Sequence, residues 1–162
     1  MLLEIRHATG EDLPRARQFY ADRQYGGGIQ PQDTVLLAER EDELVGIVRL
    51  ASEQGTTVLR GMQVHPAFQH QGIGAQMLAA VAEELESRPC FCIPYAHLVD
   101  FYARIGFHVV EPGQAPTFLR ERLEGYRTRG DGREYLLMRR AGTAAESRAN
   151  VERNSIRMSP GA

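Results

Sequence analysis

Apolar positions along the chain recur with strand spacing, then helical spacing, in an order that predicts a mixed architecture. Leu2–Arg6 reads as a short strand. Thr9 offers a helix N-cap, Glu11 and Asp12 fall in a first turn where the helix dipole favours acids, and Leu13, Ala16 and Tyr20 form an inner stripe. The run Tyr25-Gly26-Gly27-Gly28-Ile29 breaks this helix, and it reads equally as a plain linker or as a lid over a substrate. Three strand patterns follow: Thr34–Glu39, Leu44–Ala51 and Thr56–Val64. Short polar turns at Arg40-Glu41-Asp42-Glu43 and Glu53-Gln54-Gly55 join them into an antiparallel meander.

The period then changes. Gly72–Glu86 predicts a helix with Ile73, Met77, Leu78, Val81 and Leu85 on one face and Glu83, Glu84 and Glu86 outside it. Phe91–Ile93 is a short apolar strand, and Ala96–Ile105 a helix that stops at Gly106. Phe107–Val110 predicts a strand, Thr117–Tyr126 a charged helix and Glu134–Arg140 a last strand. Residues 1–140 therefore read as one domain, and 141–162, rich in Ala, Ser, Asn, Arg and Glu, as a mobile tail. The content is α/β, of the α+β type: a mainly antiparallel central sheet flanked by helices.

Composition narrows the function classes. A chain of 162 residues with 43% hydrophobic and 25% charged residues is ordinary for a globular domain with a real core. Its net charge of -2 supplies no global field to recruit nucleic acid. No apolar run is long enough to span a bilayer, and Met1–Arg6 lacks the apolar core of a secretory signal, so no membrane partner and a cytoplasmic location are expected. All 19 basic residues are arginine, which removes lysine Schiff-base and lysine general-base chemistry. The two cysteines, Cys90 and Cys92, share one face of a predicted strand and are badly placed to bridge each other. They read as buried thiols of a reducing compartment, and with no further ligands at suitable spacing no metal site is expected.

The chemistry concentrates in Met62-Gln63-Val64-His65-Pro66-Ala67-Phe68-Gln69-His70-Gln71-Gly72-Ile73-Gly74-Ala75. A strand ends, a short loop turns, and a helix begins at paired glycines. Free backbone N–H groups then converge beside the positive end of a helix dipole, a setting suited to pyrophosphate, with Gln69 as a neutral side-chain donor. A side chain at either glycine would hold the phosphates away from the backbone. The dinucleotide-binding pattern needs a third glycine and a parallel context, and the nucleotide-triphosphate loop needs Gly-Lys-Ser/Thr; this chain offers neither.

Gln69-x-x-Gly72-x-Gly74 after a strand resembles the acyl-CoA signature of the GNAT superfamily of acetyltransferases. Phe101-Tyr102-Ala103-Arg104-Ile105-Gly106-Phe107 is similar to that family's second signature, in which a tyrosine lies five residues before Gly-Phe. The resemblance covers residues 2–140 and implies an N-acetyltransferase that moves the acetyl group of acetyl-CoA to a primary amine of a small molecule or a protein. It implies that the fourth and fifth strands splay to admit the pantetheine arm, beside the backbone of Met62, Gln63 and Val64. An N–H at a bulge near Val64 would polarise the thioester carbonyl, Gln71, Gly72, Ile73, Gly74 and Ala75 would hold the pyrophosphate, and Gln69 and His70 would belong to the same cofactor-binding stretch. Tyr102 would protonate the leaving thiolate as general acid, which a phenol does only within hydrogen-bond reach.

Two positions depart from the family pattern. Arg60 and Gln63 stand on the strand where many members carry a glutamate base, leaving His97 and Glu39 as candidates; His65, His70 and His108 read as surface or loop residues. Tyr95 stands where many members carry a cofactor-binding asparagine. Arg60 would favour an anionic acceptor if it faces the wedge; the plainer reading is an exposed strand arginine. The arginines at 120, 122, 127, 129 and 133 alternate with acids and read as a solvated face. A homodimer is expected from the family's habit. The alternative function is a non-catalytic acyl-CoA-binding regulatory module, which would have no need of a phenol at the sulfur.

Overall fold

Seven strands form one sheet in the order β1-β2-β3-β4-β5-β7-β6. In the computed structural model, which describes residues 2–142, these are β1 (Leu3–His7), β2 (Thr34–Arg40), β3 (Glu43–Glu53), β4 (Thr56–Val64), β5 (Cys90–Cys92), β6 (Phe107–Val109) and β7 (Met138–Arg140). The first four make the expected antiparallel meander. β4 and β5 are parallel and share a single register pair, Val58 with Phe91, before they part. β5 and β6 each pair antiparallel with β7. The helices are α1 (Leu13–Asp22), α2 (Ile73–Leu85), α3 (Val99–Ala103) and α4 (Thr117–Arg127).

Side-chain alternation along the strands decides which helix covers which face. Leu36, Val48, Leu50 and Leu59 face α2, whose predicted stripe of Ile73, Met77, Leu78, Val81 and Leu85 is wholly buried, along with Cys90, Cys92, Tyr102 and Phe107. Burial of each such aliphatic side chain contributes about 2 kcal/mol, and this cluster is the main core. On the other face Leu37 and Ile47 pack against Ala16, Phe19 and Tyr20 of α1. Val58 and Phe91 pack there against Leu119 and Leu123 of α4.

A charged seam divides those two patches. Arg49 and Arg60 lie directly opposite each other on β3 and β4. Arg49, 1% exposed, donates to Asp33 at 2.7 Å and to the Gly28 carbonyl at 2.8 Å. Like charges this close on one face are unfavourable unless neutralised, which gives Asp33 its structural role. Arg60 donates to Glu53 at 3.4 Å, while Arg122 of α4 grips both oxygens of Glu53 at 2.9 Å. Arg122 is thus an anchor of α4 rather than part of a solvated face.

Several boundaries differ from the sequence reading. The helix predicted over Ala96–Ile105 is a 3-10 turn at Ala96–Leu98 followed by the five residues of α3. The last strand is Met138–Arg140 rather than Glu134–Arg140, with Tyr135 reaching Tyr95 through an isolated bridge. The Leu98 N–H donates to the Tyr95 carbonyl three residues back, which tightens the first turn. The segment before β7 meets residues 94–96 through separate hydrogen bonds, from the Ala96 N–H to the Glu134 carbonyl and from the Leu136 N–H to the Pro94 carbonyl, rather than through a continuous ladder. The tail expected from Ala141 lies, apart from its first two residues, outside the described residues. Cys90 and Cys92 are free and buried. No helix among the described residues is long and apolar enough to cross a membrane.

Candidate active site

The site begins with an irregularity in β4. Arg60 pairs with Arg49 and Gln63 pairs with Ile47, so Gly61 and Met62 together oppose Val48. This is a β-bulge, and Gly61 takes the left-handed conformation it needs, with φ +63°. The bulge lies two to three residues before Val64, where the sequence reading placed it only approximately. It turns Met62 and Val64 onto the α2 face, where both pack at the edge of the main core.

Past Val58 the edge of β4 has no strand beside it, because β5 runs away toward Tyr95. The gap opens into a cleft of about 870 Å³. One wall is Met62, Gln63, Val64, Phe68, Gln69, His70, Gly72, Ile73 and Gly74; the other holds Tyr95, Ala96, His97, Leu98, Phe101 and Tyr102, with Gly132, Arg133 and Glu134.

At the upper end of the first wall the chain leaves β4 through a 3-10 turn at Pro66–Phe68, with the His65 imidazole accepting from the Ala67 N–H at 3.0 Å. His70 and Gly72 are both left-handed, with φ +65° and +81°, and α2 starts at once with Gly72 as its N-cap. A helix start preceded by such a turn leaves its first backbone N–H groups without partners inside the helix, a setting that suits an anion. The Gln69 side chain does not stand free as a donor: its amide binds the Val64 carbonyl at 3.3 Å and ties the loop to the strand. Gln71 does not line the cleft, and its side-chain Oε1 accepts from Arg40 at 2.8 Å. Ala75 lies in the first turn of α2 and also does not line it.

Tyr102, on α3, is 5% exposed, packed edge-on against Phe101 and Phe107, and forms part of the second wall. Burial holds its phenol well above the ordinary tyrosine value, so it keeps its proton throughout the neutral and mildly alkaline range. Of the two proton acceptors proposed from sequence, His97 lines the cleft, its ring stacked on Tyr95 at 5.7 Å. Glu39 does not line it. Burial raises the Glu39 pKa, but hydrogen bonds from Arg6 and Arg15 outweigh that and hold it lowered, so it is a poor base.

Phe68, Ala96, Leu98, Gly132, Arg133 and Glu134 line the cleft without a role there in the sequence reading, which placed Arg133 on a solvated face. Arg133 lies over the Tyr95 ring and donates to its hydroxyl; Glu134 stands beside it, and its carbonyl accepts from the Ala96 N–H at 2.9 Å. Leu98 supplies apolar surface. Residues 132–134 come to the cleft only because the segment before β7 lies alongside Tyr95, a pairing no local signal announces. Arg60 is absent from the lining; its side chain lies on the α1 and α4 face in the Glu53 pair, which removes the basis for an anionic acceptor at that residue.

A parting of parallel strands beside a helix N-terminal loop defines the class of acyl-CoA N-acyltransferase folds. A family model described as an acetyltransferase (GNAT) domain matches residues 5–120, and the chain belongs to that family of acyltransferases. No curated protein matches it. Solved structures share the fold. ElaA of Escherichia coli superposes with a TM-score of 0.63 at 19% identity, over 86% of this chain and 99% of that one. The ribosomal-protein-S18-alanine N-acetyltransferase of Escherichia coli gives 0.64 at 18%, over 88% and 96%. The PaiA N-acetyltransferase of Thermoplasma acidophilum, in complex with coenzyme A, gives 0.58 at 16%, over 87% and 99%.

Proposed function

We propose that this protein transfers the acetyl group of acetyl-CoA to a primary amine by direct attack of the amine on the thioester. The observation that carries the reading is one cleft shared by three features: the glycine-bearing loop at the start of α2, the β4 backbone beyond its bulge, and the Tyr102 side chain. The loop and helix start suit the pyrophosphate, and the unpaired β4 edge suits the pantetheine amides. Coenzyme A bound to the PaiA relative supports an acyl-CoA co-substrate. The buried, unpaired thiols fit a cytoplasmic setting.

The chemistry follows from those positions. A neutral amine nitrogen attacks the carbonyl carbon and forms the C–N bond, and negative charge gathers on oxygen, where a backbone N–H of the bulge stabilises it. Collapse breaks the C–S bond, and the sulfur takes the Tyr102 proton. The proton lost from nitrogen has three acceptor side chains among the cleft-lining residues, His70, His97 and Glu134, and solvent returns a proton to the Tyr102 phenolate before the next turnover.

The test is acetyl-CoA-dependent CoA release across pooled amino acids, polyamines, aminoglycosides and short peptides, with products identified by mass. Tyr102→Phe should lower kcat by roughly a hundredfold or more while acetyl-CoA affinity stays within about twofold. Unchanged turnover in that variant would remove Tyr102 from the acid role.

A further inference from the structure

Gly61 is tied to a helix on the far side of the sheet. The Tyr20 hydroxyl, from α1, donates to the Gly61 carbonyl oxygen at 2.8 Å across 41 residues of sequence. Tyr20 is 3% exposed, and its ring lies 4.6 Å from that of Tyr25 at the start of the triple-glycine run. The Tyr25 hydroxyl meets the Arg49 guanidinium at 3.3 Å, and Arg49 is itself locked to Asp33. The hydroxyl that reaches the bulge is therefore part of a buried, hydrogen-bonded assembly rather than a mobile surface group.

The planarity of the peptide unit gives this contact its consequence. In a trans peptide the C=O of one residue and the N–H of the next point in opposite directions. Tyr20 holds the Gly61 carbonyl toward the α1 face, so the Met62 N–H is aimed the other way, toward the α2 face and the cleft that Met62 lines. The left-handed conformation of Gly61 makes this peptide orientation accessible, and a Cβ at residue 61 would collide with the Tyr20 hydroxyl.

We infer that Tyr20 is a positioning residue for acyl transfer, acting through the Gly61–Met62 peptide to aim the Met62 N–H at the thioester oxygen. The inference rests on the acetyl-CoA reading above. Tyr20 does not line the cleft. The hydrogen bond it aims polarises the bound carbonyl and strengthens as the oxygen becomes negative, so it acts on the bond-making step far more than on affinity.

The experiment compares wild type, Tyr20→Phe and Phe19→Leu; the last thins the same α1 packing and leaves the Tyr20 hydroxyl in place. Each is mixed with acetyl-CoA carrying carbon-13 at the carbonyl, and the carbonyl stretch is read by difference infrared spectroscopy, with affinity by calorimetry. The wild-type and Phe19→Leu stretches should lie at lower frequency than that of Tyr20→Phe, with all three affinities within about twofold. With the pooled amines, kcat should fall roughly ten- to a hundredfold in Tyr20→Phe alone. An identical stretch and kcat in wild type and Tyr20→Phe would overturn the inference, as would equal losses of kcat in both variants. Absence of acetyl-CoA binding by the wild type would instead overturn the reading on which it rests.

Discussion

The two walls of the cleft are built in opposite ways. The β4 wall is one unbroken stretch of chain, Met62 to Gly74, in which strand, turn and helix start follow each other directly. The facing wall is assembled from Tyr95–Tyr102 and from residues 132–134, joined by the Tyr95–Tyr135 bridge and the hydrogen bond from the Ala96 N–H to Glu134. A wall made of consecutive residues gets its shape from backbone preferences, and single substitutions act there through φ and ψ. A wall made of distant pieces gets its shape from the packing beneath it, so its exposed side chains can change at small cost.

The largest effect that would sharpen this contrast is expected at Gly72. Its φ of +81° costs a residue with a Cβ about 1–2 kcal/mol. No protein atom lies within 4 Å of a Cβ placed there, so within the protein the penalty of Gly72→Ala falls on the loop conformation, and the added methyl would also crowd a bound phosphate. Acetyl-CoA affinity should drop about tenfold by calorimetry, and wild-type affinity would mean the left-handed turn does not shape the phosphate site.

On the facing wall, Arg133→Ala removes the only arginine that lines the cleft among the described residues. Because Arg133 is exposed, screening limits its contribution, and acetyl-CoA affinity should weaken only about two- to fivefold, with the difference shrinking in high salt. A tenfold loss that persists in salt would break the contrast and put a strong, desolvated contact on the assembled wall.

The smallest effect is expected beneath that wall. Burial pushes the Cys90 thiol up to about 12 and the Cys92 thiol well above its ordinary value. A raised pKa leaves the reactive thiolate scarce at every pH below it; at pH 8 roughly one Cys90 in ten thousand is ionised. Iodoacetamide at pH 8 should therefore leave both cysteines unmodified by mass until the protein is denatured. Rapid native labelling would show that β5 opens readily and that the packing under the wall is loose.

Legibility in the sequence divides along the same line. The meander and the five buried positions of α2 are readable because each is written in local spacing: period two on strands and three to four on a helix. The paired glycines mark a sharply turned loop at the start of α2, whereas Tyr102 stands out only through the family resemblance. Charge and hydrophobic pattern along the chain were enough for the fold class, since an amphipathic element has few ways to hide its apolar face.

Only the tertiary structure decided what depends on distant partners. Glu39 looked free on a strand end, yet Arg6 and Arg15 occupy it; Arg60 looked available to an acceptor, yet the bulge leaves it on the far face with Glu53. Arg133 and Glu134 came to the cleft, and Tyr20 to Gly61, through pairings 38 to 41 residues long. Such contacts carry no periodic signal, because they arise when separately formed elements meet, and the energy that selects them comes from burying those elements together rather than from any residue's own neighbours in sequence.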